Sequence, residues 1–159
     1  MGNYLLAKDT VNGAKGEVII NRSGKNYHVA SMQNIRTDAD IQTTDMKVIG
    51  TTKIQDKPTG VKLTAKGNIY YGSDPFREMV LNYIKKGISE EFTVQITNDD
   101  PSTSLGSQVM AYYGCHLTGQ IPLSILDDNE AMLNYDFNFA YTDVEMLQSF
   151  NEPSTYGND

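Results

Sequence analysis

The sequence predicts a mainly β fold, a β-sandwich or barrel with one flanking α-helix. Short runs of alternating apolar and polar residues follow one another, turn residues separate them, and only Ser73 to Gly87 has the periodicity of a helix. A parallel α/β sheet would need a helix after nearly every strand. At 159 residues the chain is long enough for one well-buried core. It is read as a single domain over 1–150 with a flexible polar tail at 151–159.

Taken in order, Glu17–Asn21 and Lys25–Met32 are β-prone runs joined by the turn residues Arg22, Ser23 and Gly24, which makes them a hairpin. The stretch from Asn34 to Gly60 is long, β-prone, polar on both faces and without a core stripe, and the segment Lys57-Pro58-Thr59-Gly60 reads as its closing turn. A connection of that length with little Gly or Ser predicts a long extended β-hairpin arm, which cannot stabilise itself alone and would order on another subunit. Its contact residues are expected to be Asp38, Asp40, Ile41, Thr44, Met46, Val48, Ile49, Lys53 and Ile54.

After the arm, Val61, Leu63, Ala65, Ile69 and Tyr71 share one face of a half-buried strand, with Lys62, Thr64, Lys66 and Asn68 on the other. The helix, about 74–86, has Asp74 as its cap, Pro75 at its first position, an apolar stripe of Phe76, Met79, Val80, Tyr83 and Ile84, and Lys85, Lys86 and Gly87 at its end. The whole stripe is expected to pack on its own subunit, while Leu81, with Arg77 and Lys85, is left near a subunit boundary or another protein. Three strands follow. Phe92, Val94 and Ile96 form the inward side of the first, and Val109, Ala111, Tyr113, Cys115 and Leu117 that of the second. Leu133, Tyr135, Phe137, Phe139 and Tyr141 make an aromatic face on the third.

The net charge of -7 argues against a protein that grips nucleic acid through its phosphates, which needs clustered Lys and Arg. One cysteine rules out an internal disulfide. Neither a secretory leader nor an apolar run long enough to span a bilayer occurs, so no membrane anchoring is expected. Cys115 and His116 are neighbours on a strand, so their side chains point to opposite faces and cannot act as a nucleophile and base; His28 likewise reads as structural. The acidic runs Asn98–Asp100 and Asp127–Glu130 lack the ligand spacing of a calcium loop, and Asn21–Asn26 lacks the full phosphate-binding pattern. An enzyme is not expected, and no cofactor or metal is assigned.

The order of these features resembles a known family. A short hairpin and a long polar arm lead into KPTGVKLTAKGNIYYGSDPFREMVLNYIKKG, then FTVQITNDDPSTSLGSQ, then strands through CHLTGQIPLSILDDNEAMLNYDFNFAYTDVEML. From about Gly13 to Leu147 the chain is similar to the tail tube proteins of contractile-tailed phages and phage-derived particles. The resemblance implies a tail-tube-like fold and six subunits in a ring whose inner sheets join into one barrel. Rings would stack into a hollow tube inside a contractile sheath, in a virion tail assembled in the bacterial host cytoplasm.

Implied partners are further copies of the chain, the tail sheath protein, tape-measure and baseplate proteins, and double-stranded DNA in transit without specific binding. The acidic balance suits such a conduit. Lys62, Thr64 and Lys66, or Thr93, Gln95 and Thr97, are the candidates for the lumen face, and Arg77, Leu81 and Lys85 for a sheath or subunit contact. Two other readings fit the architecture: a baseplate tube initiator or type VI-like secretion ring, and a small-ligand-binding barrel lined by Tyr135–Tyr141.

Overall fold

A computed structural model describes residues 7, 13, 15–29, 31–72 and 75–151. The elements are β1 (Gly16–Arg22), β2 (Lys25–His28), β3 (Met32–Met46), β4 (Gln55–Tyr70), α1 (Pro75–Lys86), β5 (Phe92–Asp99), β6 (Ser107–Thr118), β7 (Asn134–Ala140) and β8 (Asp143–Gln148). Asp74, expected to cap the helix, and the tail beyond Asn151 lie outside the described residues.

All strand pairings are antiparallel, in the order β2-β1-β5-β6-β7-β4-β3, with β8 on the second edge of β6. The first hairpin closes through Ser23 and Gly24, both at positive φ (52° and 81°), the mirror-image turn whose twist matches that of the flanking strands. Its second strand ends at His28 rather than running on to Met32, which instead opens β3. The chain there leaves one half of the sheet for the other.

β6 makes that folding-over possible. Up to Tyr113 it lies between β5 and β8; from His116 to Thr118 it pairs with β7. Between these halves Phe92 pairs with Cys115 but Val94 with Tyr112, so β6 holds one residue more than β5, a bulge. Gly114 supplies it at φ 63°. The sequence expectation that Val109, Ala111 and Tyr113 share the inward face with Cys115 and Leu117 is corrected by this bulge: Met110, Tyr112 and Cys115 face the core, Val109 and Ala111 lie on the outer side with Thr97 and Gln95, and the Tyr113 hydroxyl donates outward to Glu145 at 3.1 Å. A glycine inside an alternating strand was the local signal.

The core sits between the two halves of the sheet. Ile20, Phe92 and Val94 come from one half, Ala65, Ile69, Phe137 and Phe139 from the other, and Phe76 and Met79 from α1. Phe76 lies 4.8 Å from Phe137 and 6.3 Å from Phe92, ring centre to ring centre, so the helix plugs the mouth between the half-sheets. Burying Phe76 and Met79 contributes about 1.5–3 kcal/mol each. Past them the expected packing stops: Tyr83 is 57% and Ile84 61% exposed. Only the first half of α1 overlies the core, and the rest projects beyond it. Gly87, at φ 68°, ends the helix, its amide donating to the Tyr83 carbonyl at 2.9 Å.

Two outcomes follow from this core. A Cβ on Gly114 would lie 2.1 Å from the Thr142 hydroxyl oxygen, on a residue already left-handed, so Gly114→Ala is expected to lower unfolding stability by about 1–3 kcal/mol in urea titration. An unchanged midpoint would mean that β6 turns its corner without that residue. Cys115 is fully buried, and burial pushes its thiol from 9.0 up to about 12. The folded protein therefore keeps a proton that the unfolded chain releases across that window, and stability falls as pH rises through it. The Tyr141 phenol, raised mainly by burial, acts in the same direction. Cys115→Ala is expected to make the loss of urea midpoint with alkaline pH shallower; an identical slope would place the titration elsewhere.

Candidate assembly interface

β3 and β4 are paired from Met32–Ile69 to Met46–Gln55, but only the root of this hairpin belongs to the body. β7 accompanies β4 as far as Thr64, and beyond it the hairpin continues as a two-stranded ribbon. The body therefore takes in more of 34–60 than the sequence indicated: Ile35 packs against the core, and Asn34–Ala39 pair with Leu63–Asn68. The free ribbon spans Asp40–Met46 and Gln55–Lys62, an overhang of roughly 24 Å before the tip.

Lys57–Gly60, expected as the closing turn, lies inside β4. Gln42 faces Gly60 and Thr43 faces Pro58, leaving Thr59 as the extra residue of a bulge. Proline fits there because no strand other than β3 pairs with this part of β4. The reversal occurs at 47–54 instead.

Two tyrosines hold the root. Tyr112 and Tyr141 meet edge to face at 4.9 Å; the Tyr112 hydroxyl is 2.7 Å from that of Thr37, and the Tyr141 hydroxyl donates to the Asp38 carbonyl at 3.0 Å. Past this point Asp40 faces Lys62, Ile41 faces Val61 and Thr44 faces Lys57. Ile41, Met46, Val48, Ile49 and Ile54 are all exposed, Ile49 fully, and Lys53 stands beside them at the tip.

The projecting half of α1 forms one wall of an open groove of about 1190 Å³. Met79, Val80, Tyr83 and Ile84 line one side, Gly119–Leu123 of the β6–β7 connection the other, and Asp136 and Asn138 the floor beside β7. Of the helix residues expected at a contact, Leu81 and Lys85 are exposed, whereas Arg77 turns back, its guanidinium 4.6 Å from the Tyr71 ring centre and hydrogen-bonded to the Gly72 carbonyl.

The two candidate lumen strips are not brought together. Lys62, Thr64 and Lys66 lie on the outer face of the half-sheet that carries the arm, across the ladder from Asp40, Asp38 and Arg36 and beside Asn138. Thr93, Gln95 and Thr97 lie on the outer face of the other half-sheet, beside Asn21, Ile19 and Glu17. The core separates them, so one central channel can be lined by only one of the two strips.

Sequence reasoning missed the clamp at Arg22. Its guanidinium, nearly buried, binds both Glu90 carboxylate oxygens at 2.5 and 3.0 Å and lies 3.2 Å from Glu78. These contacts raise the Arg22 pKa, and the Arg22 hydrogen bonds hold the Glu90 carboxyl below its ordinary value. β1 is thereby tied to α1 and to the chain leaving it. No local pattern signals a pair so distant in sequence. His28 stands 3.7 Å from Glu17, and the loop carboxylates serve turns, Asp100 accepting from Ser102 and Asp127 from the Asn129 amide. Among the described residues no group of His, Cys, Asp and Glu is arranged to hold a metal ion, and no helix is long and apolar enough to cross a membrane.

Comparison with known proteins adds to this geometry. The phage-like element PBSX protein XkdM of Bacillus subtilis (strain 168) is 22% identical over 148 residues, 93% of this chain and 97% of that protein. YqbM of the same organism is 22% identical over 142 residues, 89% and 93% of the two chains. Among solved structures, a chain of the anti-feeding prophage baseplate has a TM-score of 0.66 at 11% identity, covering 89% of this chain and 97% of its own. A chain of an extracellular contractile injection system sheath-tube complex scores 0.60 at 10% identity, covering 90% and 94%. Hcp1 from Flavobacterium johnsoniae scores 0.52 at 14% identity, covering 85% and 98%. At these identities the structures establish a shared fold. The family model described as phage tail tube protein matches residues 3–148, and the chain belongs to that family, as a structural subunit of the virion tail.

Proposed function

We propose that the chain builds a hollow tube from stacked hexameric rings, inside a contractile sheath, and that the tube is a passive conduit for DNA or for perforation of an envelope. The observation that carries this reading is the free ribbon Asp40–Lys62, which projects from a body with its own complete core and exposes apolar side chains. Such an arm gains order only by lying on another chain. Six-fold symmetry and the sheath come from the fold's likeness to chains of a six-fold baseplate and a sheath-tube complex. Tape-measure and baseplate proteins would be the partners at the tube's ends. The role is structural rather than catalytic.

The lumen is assigned to the outer face of the half-sheet that carries the arm. Along β3 and β4 that face is polar: Asn34, Arg36, Asp38, Asp40, Lys62, Thr64 and Lys66 stand on it. The opposite outer face mixes the polar Glu17, Asn21, Thr93, Gln95 and Thr97 with the apolar Ile19, Val109 and Ala111. On the polar face Lys62 lies across the ladder from Asp40 and Arg36 is ion-paired with Asp38 on its own strand, while Arg36 and Lys66 face each other, so a passing polyanion meets amides and mostly paired charges with one local basic spot rather than a continuous basic track. The acidic surplus of the chain sits largely elsewhere, at Asp127, Asp128, Glu130, Asp143 and Glu145. A small-ligand carrier is disfavoured because Phe137 and Phe139, which would line its pocket, are buried in ring-to-ring packing with Phe76 and Phe92.

Negative-stain microscopy of the purified protein is expected to reveal long hollow tubes; monodisperse monomers would overturn the reading, and isolated rings would favour a tube initiator. Removing Asp40–Lys57 takes nothing from the core, so the variant is expected to fold, with a thermal midpoint within a few degrees of the parent, and to lose stacking. Tubes that survive the deletion would mean that the arm is not the contact between rings.

A further inference from the structure

Among the described residues the arm's apolar tip and the partly apolar groove beside α1 are both left uncovered, and they lie at opposite ends of one strand. The tip follows directly on the Gln55 end of β4. The groove lies at the other end, where Tyr135, Asp136 and Asn138 of β7 pair with Ile69, Asn68 and Lys66. From Gln55 to Asn68 the extended backbone covers roughly 40 Å, and an unbroken ladder holds the tip away from the body. An arm cannot therefore reach the groove of its own chain.

Chemistry matches the two features. At 47–54 the charged residues are Lys47 and Lys53, set among Val48, Ile49 and Ile54, a basic and apolar patch in an acidic chain. The β6–β7 connection that walls the groove has neither Lys nor Arg between Gly119 and Leu133. Beyond the lining stretch Gly119–Leu123, the same connection carries Asp127, Asp128 and Glu130 among the exposed Leu126 and Met132. We propose that the tip at 47–54 of one copy seats in the groove between α1 and the β6–β7 connection of another copy. Val48 and Ile49 rest against Tyr83, Ile84 and Leu123, with Lys47 and Lys53 facing the acidic run at 127–130. The contact is head to tail along β4 and joins two different surfaces, so it propagates from copy to copy instead of closing a dimer. This inference rests on the tube reading and names the surface on which that reading's arm lands.

Paired cysteines test it, with little background because Cys115 is fully buried. In the assembled protein, mild oxidation of Ile49→Cys/Leu123→Cys is expected to give a ladder of disulfide-linked oligomers on a non-reducing gel. Ile49→Cys/Glu17→Cys, with its second thiol on the far outer face, should give none. Charge reversal gives an independent measurement. Lys47→Glu/Lys53→Glu and Asp127→Lys/Asp128→Lys should each cut the sedimentable tube by about tenfold, and the four changes together should restore it to within about twofold of the parent. Tubes that form with neither ladder nor rescue would overturn the docking and leave the groove to another partner, with the tube reading intact. A parent chain that never forms tubes would defeat the tube reading itself, and this inference with it.

Discussion

The fold depends on one extra residue in one strand. Because Gly114 adds a bulge to β6, the strand can serve β5 and β8 with its first part and β7 with its last, and a continuous sheet folds over on itself. Phe92 and Phe139, from strands on either side of the bulge, then meet at 5.7 Å, and Phe76 of α1 closes the space between the halves. The same extra residue turns Tyr112 inward in place of Tyr113. Its hydroxyl reaches Thr37, and with Tyr141 on Asp38 it fixes the direction in which the arm leaves the body. A backbone irregularity in the core thus aims an exposed ribbon at the far end of another strand.

The arm so aimed has no core of its own. Backbone hydrogen bonds between two strands contribute only about 1 kcal/mol each net of solvation, while ordering each residue costs a comparable amount. Asp45 directly opposite Asp56 adds repulsion near the tip. The bulge at Thr59 bends the ribbon and breaks the regular edge that would otherwise invite unrelated strands. A ribbon of this kind is marginal in isolation and would gain stability by burying the exposed Val48, Ile49 and Ile54 against another chain, as proposed above. The body tolerates this because its own core is complete without them.

Alternation and turn chemistry made much of the body legible in the sequence. The inward residues Ala65 and Ile69, Phe92 and Val94, and Tyr135, Phe137 and Phe139 follow from period-two patterning, since each lies in a strand with one buried face. What stayed hidden came from outside the local pattern. Strict alternation puts Val109, Ala111 and Tyr113 inward because it cannot anticipate a bulge that switches faces. The helical stripe points Tyr83 and Ile84 at the core because it reports which side is apolar, not how far the underlying core extends. The Lys57–Gly60 turn signal was overridden by strand pairing, with Pro58 accommodated where β4 lacks a second neighbour. Arg22 was unreadable because Glu78 and Glu90 reach it only after α1 docks.

Placing the tip and the groove at opposite ends of β4 also bears on how long an assembly of such chains becomes. In a self-complementary contact both partners use the same patch and the association ends at two. Here each added copy would cover one arm or one groove and present another of the same kind, so the end of a growing stack has the same affinity for the next copy as the end before it. Nothing in the geometry of the chain makes the tenth layer differ from the hundredth. On the proposed docking the groove and arm would encode stacking but not length, and a defined tube would require other proteins: one that offers grooves or arms to start the stack, one that covers the last exposed set, and a ruler between them.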